Sequence, residues 1–193
     1  MTNLRKTRLA LTLNAAPFAI RAEKASDVVA REALLDACFG ETRHLRTCQR
    51  LRDGRAPAEG LAFSAMAEDR LAGTLRLWHV SAGGIPALML GPLAVDDSCR
   101  KFGVGTALMD HALAAAARGH RAVILLGDAP YYARFGFSAG KMAELSLPGP
   151  FERDRLLGLE LVPDALEGAQ GLIVPTGLAL PARKAPRAVR HSR

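Results

Sequence analysis

The feature that most restricts the fold is the stretch IPALMLGPLAV (85–95), apolar at almost every position and interrupted once by Gly91-Pro92. A continuous apolar run of this length fits a strand covered on both faces, which belongs at the centre of a sheet. Proline cannot donate to a ladder, and glycine within a strand marks a bulge or a close backbone approach. The pair therefore predicts a local break in pairing, where the sheet opens. Shortly after it stands RKFGVGTALM (100–109), a turn with two glycines and a basic pair, followed by the alanine-rich HALAAAARGH. At about 100° per residue, Val104, Leu108, Met109, Ala112, Leu113, Ala115 and Ala116 share one half of a helix, and Thr106, Asp110, His111 and Arg118 the other. Gly119 ends it, and RAVILLG (121–127) reads as a second buried strand. Residues 86–127 thus make a β-α-β unit with a parallel pair.

The remaining segments surround this unit. FAIRAEK (18–24) alternates as a strand, and SDVVAREALLDACFG (26–40) reads as a helix capped by Ser26 and stopped by Gly40. A short basic helix running into a Gly/Pro loop is expected over 41–60, and LAFSAMAEDRLAGTLRLWHV (61–80) is a hairpin turning at Glu68-Asp69-Arg70. APYYARFG (129–136) is a short helical turn, LLGLELV (156–162) a strand and GLIVP (171–175) an edge strand. The expected class is α/β, with a mixed central sheet of about six or seven strands flanked by helices.

The formal charge of +7 raises the question of a nucleic-acid or membrane partner, and its distribution answers most of it. Residues 1–16 carry Arg5, Lys6 and Arg8, and residues 181–193 carry Arg183, Lys184, Arg187, Arg190 and Arg193, with no acid in either stretch. Removing those eight from 26 basic residues leaves 18 against 19 acidic ones in 17–180. The expected organisation is a basic extension (1–16), one near-neutral domain (17–180) and a basic, disordered tail (181–193). The three cysteines, Cys38, Cys48 and Cys99, show neither C-x-x-C spacing nor a histidine at metal-site distance. A reducing, cytoplasmic setting is expected, with no metal. The apolar stretch near the start is short and broken by Thr12, Asn14 and Pro17, so neither a cleaved signal nor a membrane span is expected.

A glycine-rich turn from strand into helix offers backbone N–H groups at the positive end of a helix dipole, a site for phosphate. A triphosphate loop needs G-x-x-x-x-G-K-[ST], which is absent. A dinucleotide loop of G-x-G-x-x-G type has Leu108 where its third glycine belongs, and this turn does not open the domain. A turn that binds nothing is the remaining plain reading.

The order of elements, together with Arg100-Lys101-Phe102-Gly103-Val104-Gly105, resembles the [RQ]-x-x-G-x-[GA] pyrophosphate loop of the GNAT superfamily of N-acetyltransferases. GPLAVDD, GDAPYYARFGF and LPGPF resemble a bacterial YhbS-like subgroup, and the similarity covers residues 17–165. The resemblance implies the GNAT fold, with a bulged fourth strand splayed from the fifth, and acetyl-CoA as co-substrate. Its pyrophosphate would meet the amides of 101–106 (Lys101, Phe102, Gly103, Val104, Gly105 and Thr106) beside Arg100, and its pantetheine would pair along Leu93, Ala94 and Val95. The implied reaction is acetyl transfer by direct attack of a primary amine, carried by a small metabolite or a peptide, and the family allows a homodimer. A catalytically inactive CoA-binding module and a nucleic-acid-associated protein using the basic ends are the alternatives.

In the family a tyrosine four residues before the glycine of a Gly-Phe pair protonates the leaving thiolate, and that spacing falls on Tyr132 ahead of Gly136-Phe137. Tyr131 is the competing choice. A backbone N–H near Leu93 to Val95 would polarise the thioester carbonyl, so no side chain is needed for that task. His79 and Asp96, with Glu41 and Glu68 behind them, are base candidates, and none is assigned. His79 shares strand parity with Leu75 and Leu77, which favours packing, and His111 reads as a surface residue. Cys99 has no paired base nearby. The family often has an asparagine before the tyrosine, whereas the turn here is Gly127-Asp128-Ala129-Pro130. In residues 41–55 the set Arg43, Arg46, Arg50, Arg52 and Arg55 reads as a solvated face or, alternatively, as a receptor for an acidic acceptor.

Overall fold

The computed structural model describes residues 17–181. The expectations for the basic extension (1–16) and for all but the first residue of the tail fall outside these residues. Strands β1 (Ala19–Ala22), β2 (Ala62–Ala67), β3 (Arg70–Ala82), β4 (Ile85–Val95), β5 (Ala122–Leu126) and β7 (Leu156–Glu160) lie side by side in the order β1-β2-β3-β4-β5-β7. The β4/β5 pair is parallel and its neighbours are antiparallel, so the mixed sheet expected from the sequence is present. Two short strands complete it. β8 (Gly171–Pro175) pairs antiparallel with the end of β3, and the two-residue β6 (Leu145–Ser146) pairs parallel with β8. β2 is matched to β3 only as far as Arg76, so β8 can take the same edge from Val80 onward.

Helix α2 (Val104–Ala116) buries Val104, Leu108, Met109, Ala112, Ala115 and Ala116 on one face of the sheet, as the periodicity requires. It ends at Ala116, three residues before Gly119. The other face is divided. Helix α1 (Val28–Phe39) packs Leu34 and Leu35 on Leu71 and Ala94, and a second layer gathers Leu51, Trp78, Met89, Ile124 and Leu145. The helix starts later than the Ser26 cap implied: residues Ala25–Asp27 form a 3-10 turn, and Asp27 accepts from the Lys24 backbone N–H at 2.9 Å. Asp27 is also gripped by Arg21 (2.6 and 2.8 Å) and Ser64 (2.9 Å), which fixes this carboxylate to β1 and β2. The start of the helix follows from that anchor. Gly40, with φ of 77°, ends it as expected.

The basic helix expected in 41–55 is instead two 3-10 turns, Glu41–Leu45 and Thr47–Leu51, separated by an extended Arg46. Side chains hold this segment in place from both ends. Arg43 bonds Glu32 and Asp36 of α1, while Thr47 and Arg50 donate to the carbonyls of Pro150 and Pro148.

Candidate active site

The break foreseen at Gly91-Pro92 is a bulge. Leu75 faces Leu93 and Leu77 faces Leu90, leaving Arg76 alone opposite two residues of β4. The parallel ladder to β5 consists of Leu88↔Val123 and Met89↔Ile124, and beyond Met89 the β5-facing edge of β4 has no strand partner among the described residues. On its other edge β4 continues in register with β3 through Leu75↔Leu93, Thr74↔Ala94 and Gly73↔Val95. The expected splay of the two strands is therefore present.

The chain leaves β4 at Asp96, whose carboxylate accepts from the Ser98 N–H at 3.0 Å and pairs with Arg70 at 3.1 Å. Hydrogen bonds from Ser98, reinforced by Arg70, hold the Asp96 carboxyl below the usual carboxylate range. A 3-10 turn over Asp97–Phe102 leads to Gly103, which caps α2 in the left-handed conformation with φ of 75°. Only glycine adopts that conformation without strain. The first helical bond of α2 runs from Ala107 N–H to the Gly103 carbonyl. The N–H groups of Val104, Gly105 and Thr106 precede it and are free for a ligand.

Between the open edge of β4 and this helix start lies a cleft of ≈ 420 Å³. It gathers Leu93, Ala94, Val95, Arg100, Gly103, Gly105 and Thr106 from the sequence-derived set. The others lie around it. Lys101 is exposed, whereas Phe102 and Val104 line a separate cavity behind the loop, together with Cys99 and the β2–β3 turn. Arg100 pairs with Asp97 at 2.8 Å and is 61% exposed, so it can turn toward an anion at little cost.

Three cleft residues were not expected from the sequence, Cys38, Phe39 and Arg134, and the fourth newcomer is Tyr131, the competing tyrosine. Cys38 and Phe39 arrive with the end of α1, and the Cys38 thiol donates to the Val95 carbonyl at 3.5 Å. Helix α3 (Ala129–Tyr132) and the 3-10 turn after it place Tyr131 and Arg134 together, three residues apart. The Arg134 guanidinium lies 4.8 Å over the Tyr131 ring and donates to the Tyr131 carbonyl at 3.0 Å. That i, i+3 spacing on a helical turn was legible, because such residues share a face.

Tyr132 is half-buried beside the cleft. Its ring packs on Gly127 so closely that a Cβ there would sit 2.3 Å from the Tyr132 Cε2, so the turn at the end of β5 must carry glycine. Tyr131 meets the same ring edge-on at 4.9 Å and Phe137 at 6.0 Å. Burial, with Tyr131 adding to it, pushes the Tyr132 phenol up to about 12.

The base candidates lie elsewhere. The His79 and His120 rings meet at a tilt of 49° with centroids 5.3 Å apart, and burial, with His79 second, lowers the His120 pKa. Glu68 turns the β2–β3 hairpin with φ of 53°, and Glu41 is exposed in the first 3-10 turn after α1. Asp96 serves the loop turn. Among the described residues no cluster of three His, Cys, Asp or Glu could hold a metal, and no helix is long and apolar enough to cross a membrane.

Residues 58–139 match the family model of the acetyltransferase (GNAT) domain. The uncharacterized N-acetyltransferase YhbS of Escherichia coli K12 is 29% identical over 157 residues, which cover 80% of this chain and 93% of that protein. Its crystal structure in complex with CoA superposes with a TM-score of 0.71 at 28% identity, over 84% of this chain and 91% of that one. A GNAT acetyltransferase from Brucella melitensis, solved with acetyl-CoA, shares the fold with a TM-score of 0.63 at 24% identity, over 82% and 96% of the two chains. The splayed strands, the glycine-capped helix and these similarities together make the chain a YhbS-like member of the GNAT superfamily of acyltransferases.

Proposed function

We propose that the protein is an acetyl-CoA-dependent N-acetyltransferase acting on a primary amine. The observation that carries this reading is the unpaired edge of β4 beyond Met89, which opens onto a cleft closed at its other end by free amides, Arg100 and Arg134. A ligand with an anionic pyrophosphate joined to an amide-bearing arm fits that order of groups. Its phosphates meet the start of α2 and the guanidinium groups, and its arm pairs along Leu93 to Val95 like an added strand. The CoA held by YhbS supports the same donor here.

In this reading a neutral amine attacks the thioester carbonyl carbon while a backbone N–H of the 93–95 segment stabilises the developing oxyanion. The C–N bond forms, the C–S bond breaks, the departing thiolate takes a proton from a tyrosine, and the new amide nitrogen gives up its surplus proton, through water, to the tyrosinate left behind. Alkylamines have pKa values of about 10, so the acceptor must lose a proton before attack, to water or to a base of its own. Tyr132 is the proposed acid. Burial keeps it protonated throughout the neutral range, and the same exclusion of water raises the basicity of the thiolate it serves. Its neighbour Tyr131 lines the cleft directly, which favours it as the second reading.

The free thiols of Cys38, Cys48 and Cys99 fit a reducing, cytoplasmic setting. The test of function is thiol release from acetyl-CoA against a panel of amines, peptides and small metabolites, with mass spectrometry of the product. An acetylated amine is expected. Binding of acetyl-CoA without transfer to any member would point instead to a CoA-binding module.

A further inference from the structure

The bulge in β4 removes the half-buried Gly91 carbonyl from the β-ladder, and an acceptor left without a partner there is costly. The carbonyl is not left alone. The Trp78 indole Nε1 donates to it at 2.7 Å, from a side chain only 7% exposed. Trp78 stands opposite Met89 in the β3/β4 register, so its ring reaches two residues along β4, on the same face, to the point where the strand leaves β5. An indole has one donor and no acceptor, so this bond uses its whole polar capacity. The ring is itself held: the Arg76 guanidinium lies 5.8 Å over it and is anchored to Glu23, which also receives Arg31 of α1. Leu93, two residues beyond Gly91, begins the stretch of backbone that floors the cleft.

We propose that Trp78 is a positioning residue for the donor: its N–H fixes the Gly91 carbonyl and so aims the open edge of residues 93–95 at the pantetheine arm. The inference rests on the acetyl-CoA reading above and adds to it a residue on the far side of the sheet from α2. The role is specific to the arm. The phosphates meet a different element, the start of α2, which Trp78 does not touch.

The experiment compares two ligands on the intact protein by calorimetry: acetyl-CoA, and adenosine 3′,5′-bisphosphate, which carries phosphates and no pantetheine. Trp78→Phe keeps an aromatic ring and removes the donor. Acetyl-CoA affinity is expected to fall about tenfold, the scale of one buried hydrogen bond, while the bisphosphate binds within about twofold of wild type. An unchanged acetyl-CoA affinity, or equal losses for both ligands, would overturn the role. Because the chain has a single tryptophan, residue-specific replacement by benzothienylalanine gives a second, nearly isosteric variant without the N–H, for which the same split is required even if the phenylalanine variant fails to fold. Wild-type protein that binds no acetyl-CoA would remove the donor reading and this inference with it.

Discussion

The two faces of the molecule that meet at β4 are built in different ways. The side proposed for the donor is made of backbone: a bulge, an unpaired strand edge and three free amides behind a left-handed glycine. The opposite side, where the 41–55 segment and α1 up to its last two residues, Cys38 and Phe39, lie, is made of long side chains. Glu23, buried, receives both Arg31 and Arg76; Arg43 ties the segment to Glu32 and Asp36; Arg50 and Thr47 bind the 147–151 loop through its carbonyls. Backbone geometry suits a ligand that is always the same, because it depends on few side-chain identities. Side-chain networks can be rewritten residue by residue, which suits the part of an acyltransferase that must choose among acceptors.

That contrast predicts separable damage, and the largest effect belongs to the side-chain network. Glu23→Gln leaves two guanidinium groups facing a neutral amide, and breaking a buried pair costs about 3 kcal/mol or more. The urea midpoint should drop accordingly, and because Glu23 also anchors Arg76 over the Trp78 ring, acetyl-CoA affinity should fall by no more than it does in Trp78→Phe. A larger loss of affinity would show that the two sides are not independent. Tyr132→Phe should do the reverse, lowering turnover by about a hundredfold with stability and donor affinity kept. Turnover equal to wild type would remove Tyr132 as the acid, and Tyr131→Phe is then the variant to follow.

Smaller effects test each side on its own terms. The Arg21 guanidinium holds the Asp27 carboxyl well below the usual carboxylate range, with the Lys24 N–H and Ser64 hydroxyl assisting. The folded pKa is depressed, so this contribution is complete above an unfolded value of about 4 and is lost as pH falls through that value toward the folded one. Asp27→Asn should cost about 2 kcal/mol at neutral pH and flatten this acid-side slope in thermal melts. On the donor side, Gly103→Ala forces a side chain into φ of 75°, costing about 1 kcal/mol and weakening acetyl-CoA severalfold in a binding titration. Arg100→Ala should weaken it least, by about threefold, with a reduced dependence on salt, because Arg100 is an exposed charge.

The same contrast explains what could be read in advance. The β4 run, the bulge at Gly91-Pro92, the turn at 100–106 and the buried half of α2 follow from short-range rules of pattern, donor loss and φ preference. The 41–55 segment was misjudged because its basic helical spacing competes with partners distant in sequence, Pro148 and Pro150, that no local rule supplies. The late start of α1 has the same origin, since Asp27 answers to Arg21 and Ser64. Tyr131 and Arg134 were readable as a pair on one helical face, but their place in the cleft depends on how α3 docks.

By itself the sequence determined a mixed sheet with a central parallel pair, a strand that must open at Gly91-Pro92, and a glycine-rich start to the helix that follows. These are properties of a residue and its near neighbours. Only the tertiary structure decided which tyrosine lines the cleft, that Trp78 takes up the carbonyl freed by the bulge, and that the arginines after α1 bind backbone carbonyls and α1 carboxylates. Each of those depends on contacts between segments far apart in the chain, where distance, burial and competition for a partner set the outcome.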